Sequence, residues 1–253
     1  MFALGHLSDL HLAARPQLKA LAGKRGLGFI NWHRGRKFIH RSEVVDALTR
    51  DLKANAPDHI AVTGDLINFS VPAEYLRAQA WLEGLGPPSD VTVIPGNHDI
   101  YVPQAEHWPA KYWGEYMRGD TGAEGAFPFV RRRGAVALIA LSSALPTGPF
   151  MATGLLGQQQ LMRFAAALEQ TRGLFRVVLI HHPPKSLRSR HLRRLIERER
   201  ALDEDPDFIN RVGGPEAVRE RRRRRHELVT LAVGFVLGVV ALAVVALFAA
   251  SRF

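Results

Sequence analysis

Short apolar runs alternate with stretches of helical period through the first 180 residues of the chain, the pattern of a mixed α/β domain. Residues 2–7, 59–63, 91–94, 136–141 and 176–180 are apolar runs of strand length and read as buried strands. Between them the spacing predicts a helix over 42–55, where Val44, Val45, Leu48 and Leu52 recur at helical intervals behind Ser42 as N-cap. Residues 72–85 and 156–171 read the same way.

The pattern changes twice. Residues 15–41 hold eight basic side chains and no acidic one, with Phe29, Ile30, Trp32 and Phe38 between them. They read as an ordered loop with a solvated basic face, or as a surface that meets phosphates or anionic lipid. From residue 186 on, strand signals stop and the text becomes rich in Arg and Glu, with an acidic knot at Asp203, Glu204, Asp205 and Asp207. Residues 228–250 then carry no charge at all. As a helix this last stretch would be about 34 Å long at about 1.5 Å per residue, enough to cross a hydrocarbon core of about 30 Å.

Charge gives that span a direction. The chain has 34 Lys+Arg against 24 Asp+Glu, a net +10, with 19 basic and 15 acidic side chains in residues 1–184 and 15 against 9 in residues 185–253. Arg219 and Arg221 to Arg225 precede the apolar stretch and Arg252 alone follows it. The positive-inside bias therefore places residues 1–227 in the cytoplasm, held by a single-pass C-terminal anchor. The first eleven residues have no basic n-region and carry Asp9 and His11, so they do not read as a secretory signal. Gly234 and Gly238 form a G-x-x-x-G pair inside the span, a face on which two copies could pack as a homodimer. The expected organisation is a domain over 1–187, a charged helical linker over 188–227 and a transmembrane helix over 228–250. With no cysteine, thiol chemistry and a disulfide scaffold are both excluded, and 47% apolar residues exclude a disordered chain.

Four motifs follow predicted strands directly, where the carboxyl ends of strands in an α/β sheet collect ligand-binding groups. They are Asp9-Leu10-His11, Gly64-Asp65-Leu66-Ile67-Asn68, Gly96-Asn97-His98-Asp99 and His181-His182-Pro183-Pro184. The glycine before Asp65 relieves crowding so that its carboxylate can be reached from two sides, and the prolines after His182 stop the strand. Carboxylates with imidazoles and no thiolate suit Mn, Fe or Zn better than Mg alone. Any one motif is weak, but four in order at strand ends point to a metal site.

These blocks resemble the calcineurin-like metallophosphoesterases, whose ordered signature is D-x-H, G-D-x-x-N, G-N-H-D, H and G-H-x-H. The resemblance covers residues 3–184 and implies an αββα sandwich with two divalent metal ions. By it, Asp9 and His11 would bind the first metal, Asp65 would bridge both, and Asn97 and His181 would bind the second. The family places the first histidine of an H-H-P-P stretch on the metal, which favours His181 over His182 as ligand. His98 would stabilise the transition state or protonate the leaving oxygen, with Asp99 holding its ring. Two such cations about 3.5 to 4 Å apart offset phosphate charge and activate a water in line with the leaving group.

The final G-H-x-H is absent: after His182 only His191 and His226 remain, neither in that context. The sandwich is therefore expected to be incomplete, with a sheet edge unprotected. From Ile196-Glu197-Arg198 onward the tail is similar to small actinobacterial membrane proteins of unknown function, which suggests a junction near residue 190. Two readings follow. One is a membrane-anchored phosphoesterase acting on a phosphomonoester or phosphodiester, with an impaired site. The other is an inactive phosphoesterase-like remnant, or a membrane-tethered interaction module. A nucleic-acid enzyme ranks last, because the basic runs come without a recognisable reading helix.

Overall fold

In the computed structural model, residues 2–183 are described, except 13, 15, 17–19, 36–39, 122–126 and 150. The apolar runs become six strands: β1 (Leu4–Leu7), β2 (His59–Thr63), β3 (Val91–Ile94), β4 (Phe129–Arg133), β5 (Val136–Ala140) and β6 (Phe175–Leu179). The helices are α1 (Lys24–Arg34), α2 (Ser42–Ala54), α3 (Pro72–Leu85), α4 (Trp108–Trp113) and α5 (Gln158–Gln170).

The strands form two three-stranded sheets. One is parallel in the order β1-β2-β3, with Leu4 opposite His59 and Ile60 opposite Val91. The other runs β4-β5-β6, antiparallel between β4 and β5 and parallel between β5 and β6. Every residue of β2, the middle strand, and of its neighbour β3 is buried, as expected for a parallel sheet covered on both faces. Val62, Val93 and Leu82 from the first sheet's side share one hydrophobic cluster with Phe129, Leu138 and Leu179 of the second.

Helix α3 matches its predicted bounds. Pro72 occupies the first turn, where its missing N–H costs nothing, and Tyr75, Ala78, Leu82 and Leu85 form the buried stripe. The expectation for α2 is corrected in two respects. Its N-cap is Arg41, so Ser42 is already helical and makes no side-chain cap. Its apolar stripe is partly turned outward: Val45 is buried, but Val44 and Leu48 are 48% and 46% exposed.

Three elements escape the hydrophobic pattern: the short helix α4, strand β4 and helix α1. Strand β4 reads as polar because of Arg131, Arg132 and Arg133, yet Arg131 is 3% exposed. Its guanidinium donates to the carbonyls of Arg118, Pro88, Val91 and Glu115, which satisfies a buried cation with oxygens of four backbone groups. Helix α1 lies where a loop is expected, and none of its residues is fully buried. Among the described residues no helix is long and apolar enough to cross a membrane. Residues 228–250, Gly234 and Gly238 among them, lie outside the described residues, as do His191 and His226.

Candidate metal centre

Each motif begins within two residues of a strand's carboxyl end: Asp9 after β1, Gly64 after β2, Gly96 after β3 and His181 after β6. The site therefore draws on both sheets. Beyond the ends of β1 and β2 the two loops continue side by side. Asp9 N–H donates to the Gly64 carbonyl and His11 N–H to the Asp65 carbonyl, both at 3.0 Å. This pairing needs sharp turns, and Asp9, His11 and Asp65 all take left-handed backbone angles, with φ of 56°, 48° and 55°. Such conformations in residues with a Cβ are costly and are found where a site dictates them. Gly64 has φ of 89°, and a Cβ there would come within 2.5 Å of the Gly96 amide nitrogen and 2.7 Å of His181 Nδ1. The glycine is thus what lets three of the loops meet.

Asp65 is the centre of the arrangement. Its Oδ2 faces His11 Nε2 at 3.8 Å and its Oδ1 faces His181 Nε2 at 3.5 Å. Both imidazoles present Nε2 for the same reason: His11 Nδ1 donates to the Ile67 carbonyl at 3.2 Å, and His181 Nδ1 to the Thr63 carbonyl at 2.8 Å. A ring nitrogen facing a carbonyl must carry the proton, so the other is left with its lone pair, the form in which histidine binds metals. Burial brings His11 down to about 3 despite the neighbouring Asp65 carboxylate, so it is neutral at ordinary pH. Burial raises Asp65 above the usual carboxylate range, opposed by His181 and His11. Single ligand atoms of Asp9, Asp65 and His181 all lie within 4.8 Å of one another. Asp9 is exposed at the mouth, and Asn97 is buried in the turn after Gly96. The donor set suits a divalent transition metal, and the fixed tautomers leave the lone pairs a cation would need.

His98 stands beside this centre and is only part-buried. Its backbone N–H donates to Asp65 Oδ1 at 2.8 Å, and its ring Nδ1 donates to the Asn68 carbonyl at 2.7 Å. The role expected of Asp99 is accordingly redistributed. Asp99 is fully buried, and its carboxylate accepts the backbone N–H groups of Asp65, Gly96 and Ile67 at 2.8, 2.8 and 3.2 Å. It ties the second motif to the third, while the Asn68 carbonyl holds the His98 ring. His182 turns away toward the second sheet's loop, its Nδ1 2.8 Å from Ser143 Oγ.

Two residues matter here to which the sequence reading gives no role. Asn68 Nδ2 donates to the His11 carbonyl at 3.0 Å, so one side chain holds the first motif while its backbone holds His98. Glu74, wholly buried at the start of α3, accepts the N–H groups of Asn68, Phe69 and Val71 at 3.3, 2.9 and 3.2 Å. Its signal in the sequence is a carboxylate three residues after the helix entry, the capping-box position.

A parallel sheet, helices and a carboxylate with two histidines at the strand ends define an α/β domain with a candidate metal centre. The model of the calcineurin-like phosphoesterase family matches residues 2–214, and the chain belongs to that family. A second model, of a protein family of unknown function (DUF3040), matches residues 186–252. A probable cyclic nucleotide phosphodiesterase of Synechococcus sp. is 32% identical over 97 residues, which are 38% of this chain. The chain spans 31% of that relative's length.

Proposed function

We propose that the chain is a membrane-anchored, metal-dependent hydrolase of phosphate esters. The observation that carries this reading is Asp65, with one carboxylate oxygen facing the Nε2 of His11 and the other facing that of His181. Asp9, His11 and Asp65 would hold one divalent ion, and Asp65, Asn97 and His181 a second. When bound, two such ions supply neutralisation of phosphate charge and activation of a water. The residues do the rest. The Asn68 carbonyl keeps the His98 proton on Nδ1, which leaves Nε2 to take up a proton and return it to the leaving oxygen. Asp99 and Gly64 keep the three loops of the first sheet in register, so that charge and proton donor reach the same phosphate.

Likeness to a probable phosphodiesterase favours a diester over a monoester as substrate. Two three-stranded sheets that share one hydrophobic cluster support an αββα sandwich. For the tail, the uncharged stretch at 228–250 behind the arginine run supports a single C-terminal span with the catalytic domain on the cytoplasmic side, and Gly234 and Gly238 support a homodimer within it.

Turnover of bis(p-nitrophenyl) phosphate by the full-length chain with added Mn²⁺ tests the reading. The expected result is metal-dependent hydrolysis that falls by about 100-fold or more in Asp65→Asn. No turnover with Mn²⁺, Fe²⁺ or Zn²⁺ would overturn it in favour of an inactive, membrane-tethered module. The absence of a Gly-His-x-His after His182 is the observation on that side.

A further inference from the structure

Helix α1, which the hydrophobic pattern does not announce, carries a cation to the rim of the site. Lys24 Nζ lies 4.0 Å from the centre of the Tyr101 ring and donates to the Thr147 carbonyl at 2.8 Å, with Thr147 Oγ1 at 3.3 Å. The Tyr101 ring in turn stacks on His98, with centroids 5.2 Å apart and planes 12° from parallel. One turn after Lys24, Gly28 leaves room for the phenol: a Cβ there would sit 2.6 Å from the Tyr101 hydroxyl. The backbone beneath is pinned as well. Ser70 Oγ accepts the Tyr101 N–H at 2.8 Å and donates to the His98 carbonyl at 2.9 Å. Arg25, next to Lys24, donates from Nε to the Phe69 carbonyl at 2.9 Å, which fixes α1 against the second motif's loop.

We propose that Tyr101 and Lys24 are positioning residues for His98, Tyr101 by stacking on the imidazole and Lys24 by holding the phenol ring through a cation–π contact. The inference rests on the hydrolase reading, in which His98 moves a proton. The hydrogen bond at Nδ1 fixes the tautomer and restrains the ring at one edge, and the His11 ring packs edge-on at 4.9 Å. A parallel aromatic ring adds a restraint across the whole face, because tilt about Cβ–Cγ disrupts the stack. The ammonium holds the phenol in place because an aromatic face attracts a cation, and more strongly where both are shielded from water. Lys24 is half-buried, and that burial lowers its ammonium to about 8. Lys24 also joins the loop after β5, through Thr147, to the loop after β3, through Tyr101. The basic segment thus contributes one placed cation to the site.

Four variants of the full-length chain test this, with kcat and KM for bis(p-nitrophenyl) phosphate, bound Mn²⁺ per chain and the NMR signals of the His98 ring protons. Tyr101→Leu is expected to lower kcat by about 10-fold to 100-fold with KM within about twofold and bound Mn²⁺ unchanged, since misplacing a reacting group acts on kcat. Tyr101→Phe keeps the stack and should stay within about threefold of the parent. Lys24→Met should lower kcat by about fivefold, and Lys24→Arg should restore most of it. The ring-current shift of the His98 protons should vanish in Tyr101→Leu and persist in Tyr101→Phe. Unchanged kcat and unchanged His98 signals in Tyr101→Leu would overturn the proposal, as would a loss of kcat that follows loss of Mn²⁺. Should Tyr101→Leu fail to fold, the Lys24→Met and Lys24→Arg pair decides. If the parent chain has no turnover, the hydrolase reading falls by itself, and the His98 signals still decide whether Tyr101 and Lys24 fix the ring.

Discussion

The two sheets contribute unequally to the site. The first carries three of the four motifs on loops that hold one another: Asp99 binds backbone of the second and third motifs, and Asn68 holds the first. The second sheet contributes His181 alone, and Arg131 of β4 fastens it to the start of the first sheet's β3, through the carbonyls of Val91 and Pro88, and to those of Glu115 and Arg118 in the connection between the sheets. Its last described strand is also the more open, with Phe175 72% exposed, whereas β2 is buried throughout. A site divided in this way has its chemistry fixed by the first sheet and closed by the second. Substitutions should therefore separate stability from metal binding according to whether they touch the motif loops or the core away from them.

The largest effect is expected at Asp99. Asp99→Ala strands three buried N–H groups and frees two motifs from each other, a loss of about 4 kcal/mol or more in urea unfolding at roughly 1–3 kcal/mol per group. Bound metal should be lost with it. On the second sheet, Arg131→Met leaves buried carbonyls without their donor and should cost about 3 kcal/mol by the same measurement. Here Mn²⁺ affinity should change by no more than about twofold, because nothing Arg131 touches is a candidate ligand. Equal losses of metal binding in both variants would break the division between the motif loops and the rest of the core.

Glu74 gives a pH-dependent version of the comparison. Burial pushes its carboxyl up to about 7 from 4.5, against three backbone N–H groups that favour the anion. A raised pKa means that the fold prefers the protonated acid. The contribution is whole below pH 4.5 and declines as pH rises through about 7. Replacement by a neutral isostere should consequently cost more at acid pH than at alkaline pH. The unfolding penalty of Glu74→Gln is expected to be about 2 kcal/mol larger at pH 5 than at pH 8. A penalty that grows with pH would show that the anion is the folded form. The smallest effect belongs to Phe175→Thr on the exposed start of β6, where stability should move by less than about 0.5 kcal/mol.

How far the sequence could foretell this depends on what kind of signal each part leaves. Strands β2 and β3 of the first sheet are legible because both faces are covered, so Ile60, Ala61 and Val62, and Val91, Val93 and Ile94, cluster in short, mostly apolar runs. Helix α3 announces itself through Pro72 and the spacing of Tyr75, Ala78, Leu82 and Leu85. Strand β4 does not, since Arg131 is buried by hydrogen bonds to carbonyls that only the folded chain brings near. Helix α1 is hidden because Gly26 and Gly28 lower its propensity and it buries no full face; Gly28 is spent on making room for Tyr101. The site motifs are legible as residue types at strand ends. Their mutual bonds are not, because Asp99 and Asn68 act on backbone groups of other loops, and backbone groups carry no sequence signature.

The central claim is that Asp65 joins the two halves of a metal centre, and direct measurement of bound metal tests it most closely. Equilibrium dialysis of the full-length chain against Mn²⁺ should give two ions per chain in the parent. Asp65→Asn should lose both, and His181→Ala should lose one. Undiminished Mn²⁺ in Asp65→Asn would contradict the account.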